Sequence, residues 1–200
     1  MIVIGITGSL ASGKSEAVRI FKEKKGAKVF DADLAARQVV EKGKPVYKAV
    51  FKIFGKEYFR SNGELDRKKL ASHVFSHPED LKKLNILIHP GVIFECFRMI
   101  EQNRKRSEIL VLDVPLLFES KMESLADYTV LVTADPKKIL QRAKKNGMPE
   151  SLTRKILSTQ WPLIKKRRLA DFVIKNNGSL KELEKKVLEV AEKIKLKNKT

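Results

Sequence analysis

The octapeptide "GSLASGKS", Gly8–Ser15, constrains the fold of this chain more than any other stretch. Its spacing is that of G-x-x-x-x-G-K-[ST], a motif in which each position has a physical task. The glycines permit a tight loop, backbone N–H groups surround phosphates, the lysine reaches the outer phosphates and the hydroxyl binds Mg²⁺. The first candidate ligand is therefore a nucleoside triphosphate.

The flanks of the octapeptide supply the context that this motif requires. The apolar run "MIVIGIT" before it predicts a buried strand, and "SEAVRIFKEKKG" predicts a helix with Val18 and Phe21 on one face. An ordinary glycine turn between a strand and a helix is the alternative interpretation. Because strand, loop and helix all agree, the sequence favours a phosphate-binding loop.

Further strands predict an α/β fold. "AKVFDAD", "EILVLDVPLLFE", "DYTVLVTAD" and "DFVIKNN" are short apolar runs that end in polar residues, and a strand after the first helix makes a βαβ unit with a parallel sheet. We expect a single domain with its core at about 1–33, 105–136 and 170–200. The stretch 34–104 is predicted to be a helical insertion, broken among other places at His89-Pro90. The segment at about 137–169 is helical in pattern and rich in positive charge.

Composition restricts the class of partner. The chain has 42 Lys and Arg against 24 Asp and Glu, a formal charge of +18, so its field attracts anions. A lone cysteine, Cys96, excludes an internal disulfide and is expected to be a buried, inert thiol in a reducing cytoplasm. No apolar run approaches the ~20 residues that span a bilayer, so no membrane partner is expected. The opening run is predicted to be a strand rather than an export signal.

Acidic residues at predicted strand ends are the candidates for chemistry. Ligands in parallel α/β sheets bind at the carboxyl ends of strands, which places Asp31, Asp33 and Asp113 at the correct edge. Asp33 is predicted to orient or deprotonate an acceptor hydroxyl, with a helix N-cap as its alternative role. Asp113 is predicted to hold Mg²⁺ as a Walker-B-type carboxylate, and Asp31 could serve instead.

Two further groups of side chains leave alternatives open. Arg142 is either a clamp for the transferring phosphate or part of a solvated basic helix face. His73 and His77 could share a helical face, but we identify no nearby cysteine or helical carboxylate to complete a zinc set.

The assembled pattern resembles the dephospho-coenzyme A kinase family over essentially the whole chain. The motifs that carry the resemblance are "IGITGSLASGKS", "FDADLAARQVV", "GELDRKKLASHVF", "LIHPGV", "DVPLLFE", "ADYTVLV", the Q-x-P at Gln160 to Pro162, and "ADFVIKNNGS". The resemblance implies a P-loop NTPase-type parallel sheet flanked by helices, with a helical substrate-binding insertion and a helical lid. It also implies ATP-dependent phosphorylation of the ribose 3′-hydroxyl of dephospho-coenzyme A, with Mg²⁺ as cofactor.

The resemblance implies roles at matching positions. Lys14, Asp33 and Arg142 would be catalytic, with Arg142 in the lid, and Ser15 with Asp113 or Asp31 would hold the metal. Asp33, Arg37, His89 and Leu117 would bind the acceptor. The ATP-binding set is Gly8, Ser9, Leu10, Ala11, Ser12, Gly13, Lys14, Ser15, Glu16 and Asn176.

This chain departs from the family pattern in two places. Glu16 stands where a small hydroxyl residue is usual, and Lys145 is the nearest stand-in for a second lid arginine. A lysine lacks the bidentate geometry of arginine. The expected partners are ATP and dephospho-coenzyme A, in a monomer or weak homo-oligomer.

Two rival functions remain. One is a P-loop kinase for another nucleotide, shikimate or a sugar acid. The other is a nucleic-acid-binding protein, which the charge and "KKRR" at Lys165–Arg168 suggest. The sequence shows no basic surface interleaved with aromatic residues of the kind that stacks on bases, so no specific nucleic acid is expected.

Overall fold

Five strands form a single sheet in the computed structural model, which describes residues 1–198. The last two positions of the predicted core range 170–200 therefore lie outside the described residues. The strands are β1 (Ile2–Gly8), β2 (Lys28–Asp31), β3 (Ile109–Asp113), β4 (Tyr128–Thr133) and β5 (Phe172–Lys175). Their order across the sheet is β2-β3-β1-β4-β5.

Strand β1 is the central strand of the sheet. This strand pairs in parallel with β3 and β4, and β4 pairs in parallel with β5. All seven residues of β1 are buried, as expected for a central parallel strand covered on both faces. Ile6 lies opposite Asp113, so the ends of β1 and β3 bring the phosphate loop and this carboxylate to one edge. The predicted α/β fold with a parallel sheet is confirmed.

The chain divides into two compact units. The sheet unit contains Met1–Phe30 and the residues from Ile100 onward, and the helical unit contains Asp31–Met99. The domain boundaries predicted from the sequence stay predictions.

Helices cover the sheet within the sheet unit. They are α1 (Lys14–Lys25), α6 (Pro136–Lys145), α7 (Glu150–Thr159), α8 (Leu163–Leu169) and α9 (Leu180–Lys197). The apolar faces of α1 and α9 pack with β1 in one core, in which Phe21, Val187 and Ile194 are at most 1% exposed. Burying each such side chain contributes about 1.5–3 kcal/mol. Leu180, the first residue of α9, is 52% exposed.

The helical unit consists of α2 (Ala32–Gln38), α3 (Pro45–Phe54), α4 (Arg67–Ser76) and most of α5 (Pro78–Asn103). The predicted helix break at His89-Pro90 is wrong, because Pro90 lies inside α5. A proline removes one helical hydrogen bond, and twenty-six residues of helix tolerate that loss here. Gly91 follows, where an added Cβ would lie 3.3 Å from Val39 and Val46, so the glycine permits a close approach.

Among residues 1–198, none of the described helices combines the length and the apolar character that a bilayer crossing requires.

Candidate active site

Two residues in the left-handed backbone conformation shape the loop between β1 and α1. Gly13, the N-cap of α1, has φ +95° and Ala11 has φ +55°, so two residues adopt the left-handed region. Ser12 N–H donates to the Ser9 carbonyl over 3.1 Å, which closes the turn. The loop ends in the free N–H groups of a helix N-terminus, a geometry that favours anions.

Lys14 lies against Asp113. The Lys14 ammonium forms an ion pair and a hydrogen bond with Asp113 Oδ1, and each side chain is 14% exposed. The contact follows from the topology, because β1 and β3 are neighbours that end at the same edge. The Thr7 hydroxyl donates to the Pro115 carbonyl over 2.9 Å and ties the chain beyond β3 to β1. A lysine and a carboxylate predicted from separate motifs are thus brought together.

The carbonyl of Ser12 links the loop to two other predicted residues. It accepts a hydrogen bond from Asn176 Nδ2 at 2.9 Å and one from Arg142 at 3.4 Å. Arg142 also donates to Asn176 Oδ1 at 3.5 Å. Asn176 is buried, and its backbone N–H donates to the Thr133 carbonyl at the end of β4. The predicted ATP-loop, adenine-edge and lid residues therefore meet at one loop carbonyl.

Close packing excludes a side chain at Gly13. A Cβ added there would lie 2.2 Å from Asn176 Nδ2. Positive φ and this contact both require glycine, so the second glycine of the motif serves the loop's own structure as well as any ligand.

Ser15 and Glu16 differ in what surrounds them. Ser15 is exposed in the first turn of α1, where its hydroxyl is accessible to a ligand. Glu16 is paired with Arg19 on the same helix, and the hydrogen bond from Arg19 lowers the pKa of the Glu16 carboxyl. The ion pair with Arg19 explains how the Glu16 carboxylate is accommodated beside the loop.

The oxygens available in the sheet unit suit Mg²⁺. The Ser15 hydroxyl and the Asp113 carboxylate are hard oxygen donors, the type that this ion prefers. Among residues 1–198 no group of three or more His, Cys, Asp or Glu is arranged to hold a metal ion. One carboxylate and one hydroxyl fit an ion that takes its remaining ligands from water and phosphates.

The helical unit carries four of the other predicted residues: Asp31, Asp33, Arg37 and His89. Asp31 is the N-cap of α2, since its Oδ1 accepts from Leu34 N–H over 2.9 Å. The N-cap alternative for Asp33 is therefore wrong. Asp33 lies in the first turn with its side chain exposed, one helical turn before the exposed Arg37. His89 is exposed on α5, and partial desolvation lowers the pKa of its imidazole, which favours the neutral form.

The histidine pair has a partner that the sequence analysis missed. His73 Nε2 lies 2.9 Å from Asp80 Oδ2, and the His73 and His77 rings stack at 4.3 Å. The carboxylate comes from the next helix, which is why spacing within one helix did not reveal it.

The sequence model of the dephospho-CoA kinase family matches residues 2–182. The chain belongs to the dephospho-CoA kinase family. A dephospho-CoA kinase from Bacillus cereus is 43% identical over 183 residues, covering 90% of this chain and 91% of that protein. The crystal structure of TT1252 from Thermus thermophilus has a TM-score of 0.80 at 34% identity and covers 95% of both chains. A dephospho-CoA kinase from Campylobacter jejuni, with 24% identity, a TM-score of 0.72 and 98% coverage of both chains, shows the same fold.

Family membership confirms the predicted class of enzyme, a kinase of coenzyme A synthesis. It does not by itself assign roles to residues. Leu117, a predicted acceptor contact, is fully buried, and a Cβ at Gly5 would lie 2.9 Å from it. Its side chain lies in the core of the sheet unit, whereas the preceding Leu116 is 43% exposed.

Sequence analysis also missed a pairing at this edge of the sheet. Asn177 Oδ1 accepts from Asp135 N–H at 2.9 Å, and Asn177 Nδ2 donates to Asp135 Oδ2 at 2.5 Å. The two residues follow β4 and β5, so they support the loop that carries Asn176. Polar residues just after neighbouring strands were the available signal.

Proposed function

We propose that this protein transfers the γ-phosphoryl group of ATP to the ribose 3′-hydroxyl of dephospho-CoA, the final step of coenzyme A synthesis. The observation that carries the proposal is Lys14, held in a phosphate-binding loop opposite Asp113 in a chain of the dephospho-CoA kinase family. Phosphoryl transfer needs positioning and charge neutralisation more than covalent chemistry. Both are properties of such a loop.

The loop residues Gly8–Ser15, with Glu16 after them, would bind the phosphates of ATP. Backbone N–H groups at the start of α1 supply donors, and Lys14 would exchange its carboxylate partner for the outer phosphates. Asn176 would contribute at the adenine edge of this site. The support is that Asn176 already holds the loop through Ser12.

Ser15 and Asp113 would hold Mg²⁺ together with ATP. When bound, the ion neutralises charge that develops on the phosphoryl oxygens. Asp31 remains the weaker candidate ligand, because one of its oxygens already caps α2.

The helical unit would bind the acceptor. Asp33 would accept the proton of the 3′-hydroxyl, a role that its exposed carboxylate allows. Arg37 would contact the acceptor's nucleotide, and neutral His89 could donate or accept a hydrogen bond to the remainder. For Leu117, the buried side chain favours support of the neighbouring chain over direct contact.

Arg142 would neutralise charge on the transferring phosphoryl group from the predicted lid at about 137–169. Its support is the contact with Ser12 and Asn176, which places the guanidinium at the phosphate loop. A lid that closes over both substrates would exclude water, the competing acceptor.

The nucleic-acid alternative loses part of its basis. In the run Lys165–Arg168, Lys166 is buried with 1% of its side chain exposed, so the run is not a continuous basic surface. A cytoplasmic location remains part of the proposal, because the only cysteine is a buried thiol.

The test is conversion of dephospho-CoA by the purified protein with ATP and Mg²⁺, followed by mass spectrometry. Treatment of the product with a 3′-specific phosphatase locates the new phosphate. Shikimate and adenosine serve as comparison acceptors, and EDTA as the metal-removal arm.

We expect that dephospho-CoA is phosphorylated to coenzyme A and that neither comparison acceptor is phosphorylated. EDTA should abolish coenzyme A formation, and added Mg²⁺ should restore it fully. ATP binding without coenzyme A formation would contradict the acceptor and leave the phosphate loop standing. Faster turnover of a comparison acceptor would assign the other kinase function.

A further inference from the structure

A buried ion pair lies outside the residues so far assigned to the reaction. Lys166 on α8 has 1% of its side chain exposed, and its ammonium lies 2.8 Å from Oε1 of Glu119, which is itself 13% exposed. A charge buried to this extent requires a partner, and removing one member of such a pair is strongly destabilising. The same Glu119 oxygen accepts the backbone N–H of Trp161 at 2.9 Å.

Glu119 stands at the end of a short, well-anchored segment that starts at the active-site carboxylate. From Asp113 the chain is fixed by Val114 N–H, which donates to the Ile6 carbonyl at 3.1 Å, and by the Pro115 carbonyl that Thr7 contacts. Leu117 and Phe118 then enter the core at 0% and 2% exposure. The position of Glu119 is therefore tied to that of Asp113.

Arg142 lies on α6, whereas Trp161 follows the end of α7 and Lys166 lies on α8. Helix α6, with Arg142, is joined to α7 by a tight turn, in which Met148 N–H donates to the Ala143 carbonyl at 3.0 Å and Gly147 has φ +78°. Thr153 of α7 is fully buried and donates to the Pro149 carbonyl at the start of the same helix. Helices α6 and α7 contact each other across the turn, so the position of α7 is linked to that of α6, which carries Arg142.

We propose that Glu119 and Lys166 are positioning residues for phosphoryl transfer, which fasten the end of the α6–α7 hairpin to the segment leading out of Asp113. Two contacts fix this hairpin, one near each end. Arg142 donates to the Ser12 carbonyl, and Glu119 accepts the backbone N–H of Trp161, which follows α7. The pair thereby sets where Arg142 lies relative to Lys14 and Asp113 in the sheet unit. The proposal rests on the proposed function for its kinetic readout.

The decisive variant is the double substitution Glu119→Gln with Lys166→Met. It removes both charges, keeps an acceptor for Trp161 N–H and leaves no unpaired buried ion, so folding is expected to survive. The matched control is Glu150→Gln with Arg154→Met, the same kind of change at an exposed ion pair on α7.

We expect the double variant to have a KM for ATP within about twofold of the wild type and a kcat lowered about tenfold or more, because small misplacements of catalytic groups are costly. Substituting Arg142→Ala in this background should lower kcat by a smaller factor than in the wild type. The control variant should match the wild type. A folded double variant with wild-type kcat and an undiminished Arg142→Ala effect overturns the proposal.

Hydrogen exchange gives a readout that does not depend on turnover. ATP with Mg²⁺ should protect the amides around Arg142 in the wild type but not in the double variant, and equal protection in both overturns the proposal. This measurement stands even if the wild type makes no coenzyme A, an outcome that would overturn only the proposed function.

If the double variant fails to fold, Lys166→Arg decides, because it keeps the charge opposite Glu119. We then expect kcat to fall in step with the loss of protection at the Trp161 amide. Lost protection with unchanged kcat overturns the positioning role.

Discussion

In the sheet unit, Lys14 and Asp113 are paired with only 14% of each side chain exposed, whereas Asp33, Arg37 and His89 of the helical unit are exposed on helix surfaces. The first pair is positioned by strand ends and by loop residues in the left-handed conformation. The second set projects from helices with its polar groups open to a ligand. We therefore expect the residues proposed to bind phosphate to be preorganised, and the residues proposed to bind the acceptor to depend more on the ligand for their order.

The difference has a physical basis. A phosphate loop works through backbone N–H groups, which only a defined backbone conformation can aim. The residues proposed to bind the acceptor act through side chains, which a helix presents without special backbone geometry. Four measurements test this difference between the two units.

The largest effect is expected for Lys14→Ala. Loss of the lysine should lower kcat by about three orders of magnitude, since it removes a preorganised charge from the transferring phosphate. It also leaves Asp113 without this cationic partner. Steady-state coenzyme A formation measures the loss, and Lys22→Ala, an exposed change on the same helix, is the control. A loss of less than tenfold would contradict the assignment of Lys14.

Asp33→Asn should lower kcat by about 100- to 10,000-fold, the usual contribution of a general base. ATP affinity should stay unchanged, because Asp33 is assigned to the acceptor. Calorimetric titration with ATP and the rate of coenzyme A formation separate the two effects. Glu41→Gln, another exposed carboxylate of the helical unit, should behave as the wild type. Equal loss of ATP affinity and rate would break the contrast between the units.

Gly13→Ala tests the backbone geometry. We expect the free energy of unfolding to fall by about 2–3 kcal/mol, because the new Cβ meets Asn176 and φ is +95°. Gly147→Ala is the matched control. It also has positive φ, +78°, but open space around its Cβ, so it should cost only about 1 kcal/mol. Urea unfolding of the two variants measures the difference, and equal losses would show that the Asn176 contact is unimportant.

The smallest effect is expected when a thiol reagent is added to the native protein. Cys96 is fully buried in the helical unit, and burial raises the pKa of its thiol to about 12. At pH 8, four units below that value, only roughly one thiol in ten thousand is ionised and able to react. Mass spectrometry should show no alkylation until the protein is unfolded. Rapid labelling would mean that the helical unit opens locally.

The sequence predicted local features well because their causes are local. The glycine spacing, the apolar run before it and the helical period after it lie within about 25 residues, and the structure has β1, the loop and α1 there. The order of motifs also identified the family. Two local expectations failed: Asp31 rather than Asp33 caps α2, and Pro90 lies within α5.

Residue types and their order along the chain were therefore sufficient to predict the α/β fold, the phosphate loop and the family. Only the tertiary structure decided which residues meet. Lys14 contacts Asp113 from 99 positions away, and Asn176 contacts Ser12 from 164. Strand order sets these contacts, and it depends on the burial of whole faces of the sheet. The pairing of Lys166 with Glu119 has the same origin, because burial made an ion pair of a lysine that looks like surface charge in the sequence.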